Sequence, residues 1–98
     1  MLGIMPDMIF QTIINFMQNK KPLNDKGLAY GLWEEYYSNG NLMYKGSYLK
    51  GKQIGLCECY YSNGNLMYKG SFIKGKQIGL WIHGNNDGLI KQISFYAR

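Results

Sequence analysis

Residues 31–54, GLWEEYYSNGNLMYKGSYLKGKQI, are followed without a break by residues 55–78, GLCECYYSNGNLMYKGSFIKGKQI. Four of the 24 positions differ: Trp33/Cys57, Glu35/Cys59, Tyr48/Phe72 and Leu49/Ile73. A third copy opens at Gly79 with GLW and then diverges, and residues 26–31 align with residues 50–55 as half a copy ahead of the first. A fixed period of this size marks stacked supersecondary units, none of which can bury its apolar face alone. It divides the chain into a leading segment, 1–22, and an array, 23–98. The array comprises a half repeat 23–30, full repeats 31–54 and 55–78, and a degenerate repeat 79–98. Function is then to be sought on a repeated surface, not in a single catalytic pocket.

Within each copy, Asn-Gly sits between two strand-like runs, the strongest short-range hairpin signal. A two-residue turn at Asn39-Gly40 pairs residues whose numbers sum to 79. This register sets Glu34 against Lys45, an opposite-charge cross-strand pair, and Glu58 against Lys69 in the second copy. It also sets Trp33 against Gly46, where the absent side chain leaves room for the indole, and Tyr37 against Leu42. Side chains alternate along a strand, so Trp33, Tyr37, Leu42, Tyr44 and Tyr48 share one face with Gly46. Leu32, Glu34, Tyr36, Met43, Lys45 and Ser47 share the other. Lys50-Gly51-Lys52 then turns the chain back, which builds an antiparallel meander with Asn-Gly turns along one edge and Lys-Gly-Lys turns along the other.

Tyr44-Lys45-Gly46-Ser47-Tyr48-Leu49-Lys50-Gly51-Lys52-Gln53-Ile54-Gly55, followed by Tyr60-Tyr61-Ser62-Asn63-Gly64, resembles the MORN repeat family in its longer-period form, found in bacterial and viral proteins. The resemblance covers about residues 26–90. It implies a mainly β fold: an extended single-layer antiparallel sheet of hairpin repeats, about six strands, with one N-terminal α-helix added from the leading segment. It also implies protein association, scaffolding or contact with acidic lipid, and no catalytic residues.

The leading segment follows a different period. Apolar residues at 9, 10, 13, 14, 16 and 17 recur helically, Pro6 and Asp7 suit a first turn, and Pro22 blocks continuation. The reading is an amphipathic helix that covers the sheet through Phe10, Ile13, Ile14 and Met17. Met5-Pro6-Asp7 with Ile13-Ile14-Asn15-Phe16-Met17 also resembles the opening of an F-box, which implies binding to a ubiquitin-ligase adaptor. The array begins by Lys26, so the remaining helices of that motif have no room.

Eleven basic residues stand against six acidic ones, a net charge of +5, and 15% of the chain is aromatic. Lys26, Lys50, Lys52, Lys74 and Lys76 fall along one edge. They read either as a strip for phosphate groups or an acidic partner, or as solvated turn residues that discourage edge-to-edge aggregation. Cys57 and Cys59 lie two apart on one strand, poor geometry for bridging each other, so a reducing, intracellular setting is expected (cytoplasm, host cytoplasm or a virion). No run reaches the roughly 18 apolar residues of a membrane span, and no signal peptide is evident at the start.

Stacking brings Glu35, Cys59 and His83 into one column and Trp33, Cys57 and Trp81 into its neighbour. Column members two strands apart are about 9.5 Å from one another, too far to share an ion whose ligands lie about 2 Å away. No metal and no cofactor are expected, and the thiols read as structural. The change of Trp33 to Cys57 leaves a depression between Trp33 and Trp81 that a helix could fill. The expected function is non-enzymatic protein association through an aromatic face carrying Trp33, Tyr37, Tyr44, Tyr61, Tyr68 and Trp81. A homodimer or larger assembly is expected, with no nucleic acid, since arginine is nearly absent. Alternatives are a structural component of an assembly such as a viral particle, peripheral binding to acidic lipid, and a ubiquitin-ligase adaptor.

Overall fold

The computed structural model describes residues 18–98. The expected helix of the leading segment, with Phe10, Ile13, Ile14 and Met17, lies outside the described residues. Six strands, β1 (Gly31–Tyr36), β2 (Leu42–Leu49), β3 (Lys52–Tyr60), β4 (Leu66–Ile73), β5 (Lys76–Gly84) and β6 (Ile90–Tyr96), form one antiparallel sheet in sequence order. Its extents are 57 × 41 × 11 Å and its radius of gyration is 16.1 Å, against about 12 Å for a compact chain of this size. The sheet is one layer thick and does not fold back on itself. Among the described residues only Cys57 and Trp81 are fully buried hydrophobic side chains, each 2% exposed.

The register agrees with the sequence over most of the first hairpin: Trp33 pairs with Gly46, Glu34 with Lys45 and Glu35 with Tyr44. The turn that produces it is not the expected one. Tyr37 N–H donates to Asn41 O (2.9 Å) and Gly40 N–H to Tyr37 O (2.9 Å), closing a three-residue loop. Gly40, at φ 90°, is its left-handed residue, as in a type I turn followed by a glycine bulge. The longer loop moves the pairing by one, setting Tyr36 against Leu42, and Met43 then bulges out of β2 and restores the expected sum. Two departures of one residue cancel. Between them the faces change: Leu42 joins Tyr36 instead of the aromatic side, and Tyr37 does not pair with it. The second copy does the same, and there the Cys59 Sγ lies 3.8 Å from the Sδ of Met67, the counterpart of Met43.

The two-residue turn falls on the other edge. Leu49 pairs with Lys52 across Lys50 and Gly51, whose φ angles are 50° and 81°. Two successive positive values define a type I′ turn, the form that matches strand twist. Lys74 (φ 48°) and Gly75 (φ 82°) repeat it. In the half repeat, Asn24 N–H bonds Leu28 O and Gly27 N–H bonds Asn24 O, so Lys26 sits in a three-residue loop and not in the turn its alignment with Lys50 suggests.

Repeats are fastened through their turns. Tyr37 Oη donates to Tyr60 O (2.7 Å), and the amides of Asn39 and Asn41 both donate to Ser62 O (2.7 and 2.9 Å). One repeat on, Tyr61 donates to Gly84 O, and Asn63 and Asn65 to Asn86 O. The third turn holds Asn85, Asp87 and Leu89 at the equivalent positions. Asp87 Oδ1 still accepts the N–H of Leu89 (3.0 Å), as Asn63 Oδ1 accepts that of Asn65, but a carboxylate has no amide to donate onward. Asn63→Asp in the middle repeat keeps the acceptor and removes the donor. It is expected to cost about 1–2 kcal/mol, read as a lower melting temperature than that of the unaltered chain; an unchanged melt would show that the stitch contributes nothing.

Candidate functional site

Two faces of one sheet carry different chemistry. On the aromatic face, Trp81 of β5 lies over Gly70 of β4, and a Cβ at Gly70 would fall on the indole ring. The seat is supplied by the preceding repeat, not by the hairpin partner as expected for Trp33 and Gly46. The indole N–H donates to Ser71 O (3.2 Å), Tyr68 stacks 6.0 Å away, and Phe72 and Tyr96 meet the ring edge-on. Trp33 makes a similar bond to the residue just ahead of the half repeat, from Nε1 to Pro22 O (3.0 Å), and packs 5.0 Å from Tyr48.

At position 57, where the Trp is replaced by Cys, the seat over Gly46 is filled from within its own strand. The Tyr44 hydroxyl occupies the place of a Cβ there, held by Gln53 Nε2 (2.7 Å) and by the Tyr48 hydroxyl (3.1 Å). The depression expected opposite Gly70, between Trp33 and Trp81, is therefore occupied: the Trp81 indole lies over Gly70 and the Tyr44 hydroxyl over Gly46. What stays open on this face is a shallow hollow of about 210 Å³ beside Trp81, lined by Gln53, Tyr68, Phe72, Gln77 and His83. Of the aromatic residues expected to meet a partner, Trp81 is buried, Tyr37 and Tyr61 hold neighbouring turns, and Trp33, Tyr44 and Tyr68 are half-buried in these contacts. Most of this face is engaged within the array.

Burial pushes the Cys57 thiol up to about 11 and raises that of Cys59, so both stay protonated, inert thiols near neutral pH. The column of Glu35, Cys59 and His83 does not converge: Glu35 meets Lys21 (3.3 Å), Cys59 faces Met67, and His83 lies against Tyr68. Among the described residues no three His, Cys, Asp or Glu side chains gather as a metal site would require.

The opposite face carries Glu58, which pairs with Lys69 (3.9 Å) as the register predicts, whereas Glu34 is met by Lys20 (3.8 Å) rather than Lys45. Tyr36 and Tyr60 donate to these carboxylates (3.0 and 2.7 Å). Around them the face is apolar and open. Leu32, Leu56 and Leu80 stand in one column, one per repeat, 44, 50 and 56% exposed, and Leu49 and Ile73 form a second. Sequence reasoning placed Leu32 on this face without assigning it a role. The signal was present, because Gly-Leu opens all three copies while the residue after it changes.

The lysine turns border this face. Leu49 and Ile54 floor a groove of about 290 Å³ rimmed by Lys50, Lys52 and Lys74. A second groove of about 250 Å³ repeats it with Ile73 and Ile78 below Lys76 and Arg98. Four of the five expected anion-binding lysines thus line two equivalent slots. Lys26 is exposed on the small hairpin of the half repeat and lines neither.

Residues 29–50 and 53–74 each match the family model of the MORN repeat variant. No curated protein and no solved structure matches the chain.

These environments set a pH limit on the fold. The Glu58 carboxylate, with burial added, pushes Tyr60 up to about 12; burial, with the neighbouring Cys59, does the same to Tyr68. Each raised group is held neutral in the folded chain and ionises more readily when unfolded. The stability they contribute is complete below about pH 9, the ordinary thiol value, and is lost as pH rises toward 12. Urea melts across this range should show a level midpoint up to pH 9 and a steep fall beyond it. Tyr60→Phe should flatten the part above pH 10; a slope unchanged in that variant would remove the Tyr60–Glu58 pair as a cause.

Proposed function

We propose that this chain is a non-enzymatic protein-association module that presents one apolar contact per repeat on its leucine face. MORN repeats generally take part in protein or membrane-lipid interactions. The observation that carries the reading is the column of Leu32, Leu56 and Leu80, about half exposed on a sheet with no second layer among the described residues. Each such leucine contributes about 1 kcal/mol when a partner covers its open half, and a column at fixed spacing adds these on one rigid surface. The aromatic face, first expected to meet the partner, supports the array and leaves only the hollow beside Trp81 for contact. An intracellular setting belongs to this reading, on the two free thiols. So does the division into a leading segment, 1–22, and an array, 23–98. The viral-particle and ubiquitin-adaptor readings have no support among the described residues.

Leu32→Ser, Leu56→Ser and Leu80→Ser combined test this. The side chains are open, so the melt should move little. Proteins retained from an extract by the unaltered chain, compared by mass spectrometry, should be lost by the triple variant. An identical retained set with an identical melt overturns the reading.

A second reading, acidic lipid, is favoured by the two lysine-rimmed grooves, whose apolar floors and cationic rims match an anionic amphiphile. Lys50 and Lys74 hold a left-handed backbone that asparagine adopts with less strain, which argues that charge is wanted there. Co-sedimentation with anionic vesicles at low salt should show binding that falls when Lys50, Lys52, Lys74 and Lys76 are changed together to Gln. Absence of binding by the unaltered chain removes the lipid reading.

A further inference from the structure

The two edges of the sheet are treated differently. Along β1, Lys20 exchanges both backbone hydrogen bonds with Glu34 (2.8 Å each), and Asn19 Oδ1 accepts the N–H of Tyr36 (2.8 Å). That edge is covered by the chain's own preceding residues. Along β6 no strand among the described residues covers the outer side. Its single charge, Lys91, sits at the bulge, where Gly84 pairs with Ile90 and His83 with Gln92. From Gln92 to Tyr96 the strand is regular, uncharged and free of proline, with Ile93 and Phe95 63% and 76% exposed. Soluble proteins ordinarily blunt such an edge with charge, proline or cover.

The direction of its free backbone groups follows from the repeat. Glu34 turns its N–H and C=O toward Lys20, away from β2. Ile82 occupies the same repeat position on β5, so its groups point away from β6. Its partner across that ladder is Ile93. Members of such a pair both face outward, so Ile93, and Phe95 two residues on, direct their N–H and C=O to the open side.

We propose that two copies of this chain pair β6 to β6 about a two-fold axis through Ser94, joining two six-stranded sheets into one. This deepens the association reading by naming one partner, a second copy, and a surface, the β6 edge, that adjoins the leucine column only where Phe95 pairs with Leu80. The register makes the edge self-complementary. Ile93 lies opposite Phe95 of the second copy, twice over, the aromatic and β-branched pairing that stabilises neighbouring strands. Ser94 lies opposite Ser94, and Gln92 opposite Tyr96. The outward groups of Ile93 and Phe95 meet in hydrogen-bonded pairs. Pairing of β6 with the β1 of another copy is blocked by Lys20 and Asn19, so the contact closes as a dimer instead of growing into a fibre. Addition of a further repeat in the manner of the array is not supported either, because Asn85, Asp87 and Leu89 stand where Tyr61, Asn63 and Asn65 supply the phenol and the two amides that fasten one turn to the next.

Light scattering on the full chain at about 100 µM, a concentration that populates a weak dimer, is expected to give twice the monomer mass. Ile93→Lys, at an exposed position, is expected to give the monomer mass with the fold retained by circular dichroism. Ser94→Cys is expected to form a disulfide-linked dimer on mild oxidation, under conditions where the unaltered chain, with Cys57 buried and Cys59 half-buried away from β6, does not. A monomeric unaltered chain, or a dimer that persists in folded Ile93→Lys, overturns the proposal; a dimer whose Ser94→Cys variant fails to cross-link overturns the register. The Leu32, Leu56 and Leu80 triple variant should still dimerise, so loss of the association reading and loss of this one are separately visible.

Discussion

Hydrogen bonds from the side chains of one turn to the backbone of the next hold this sheet in register. Among the described residues this single layer has no opposing layer to press against, and its strand backbones are already engaged in their ladders. The phenol of Tyr37 and the amides of Asn39 and Asn41 reach across the turn edge to Tyr60 and Ser62, and Tyr61, Asn63 and Asn65 repeat the reach to Gly84 and Asn86. These contacts require equal turns at equal spacing, which accounts for the near identity of the two copies. They also mark where stacking stops. The third turn, with Asn85, Asp87 and Leu89 in place of Tyr, Asn and Asn, keeps the local bond from Leu89 N–H to Asp87 and carries no counterpart of these stitching side chains.

The second constraint is the exchange of ring for void between repeats. A glycine in one repeat receives an indole from the following one, as Gly70 receives Trp81. Where Cys57 replaces that indole, Tyr44 turns its hydroxyl into the vacated seat and is held there by Tyr48 and Gln53. The aromatic face is therefore closed by its own side chains in both arrangements. What the fold leaves open is the other face, where Leu32, Leu56 and Leu80 repeat without a partner within the array.

The grooves at the lysine turns show how turn chemistry and surface chemistry meet. A type I′ turn brings Lys50 and Lys52 close together beside Leu49 and Ile54, and the next turn adds Lys74. An Asn-Gly sequence would make such a turn with less strain. It stands on the opposite edge, where the amide is required for stitching and the loop is one residue longer.

The amino-acid sequence alone determined the period, the strand order, the hairpin pairing of Trp33 with Gly46 and of Glu34 with Lys45, and the collection of lysines on one edge. These depend on alternation and spacing, which are local and repeat with the chain. It did not determine which turn was the tight one, because a three-residue loop compensated by a bulge at Met43 gives the same sum as a two-residue turn. It did not show that Trp81 seats on the preceding repeat, that Tyr44 fills the gap at Gly46, or that Leu32, Leu56 and Leu80 remain open. Those outcomes depend on which ring reaches a given void first and which face retains unsatisfied apolar surface. Both are settled by how neighbouring strands and repeats place their side chains against one another, and only the tertiary structure sets that.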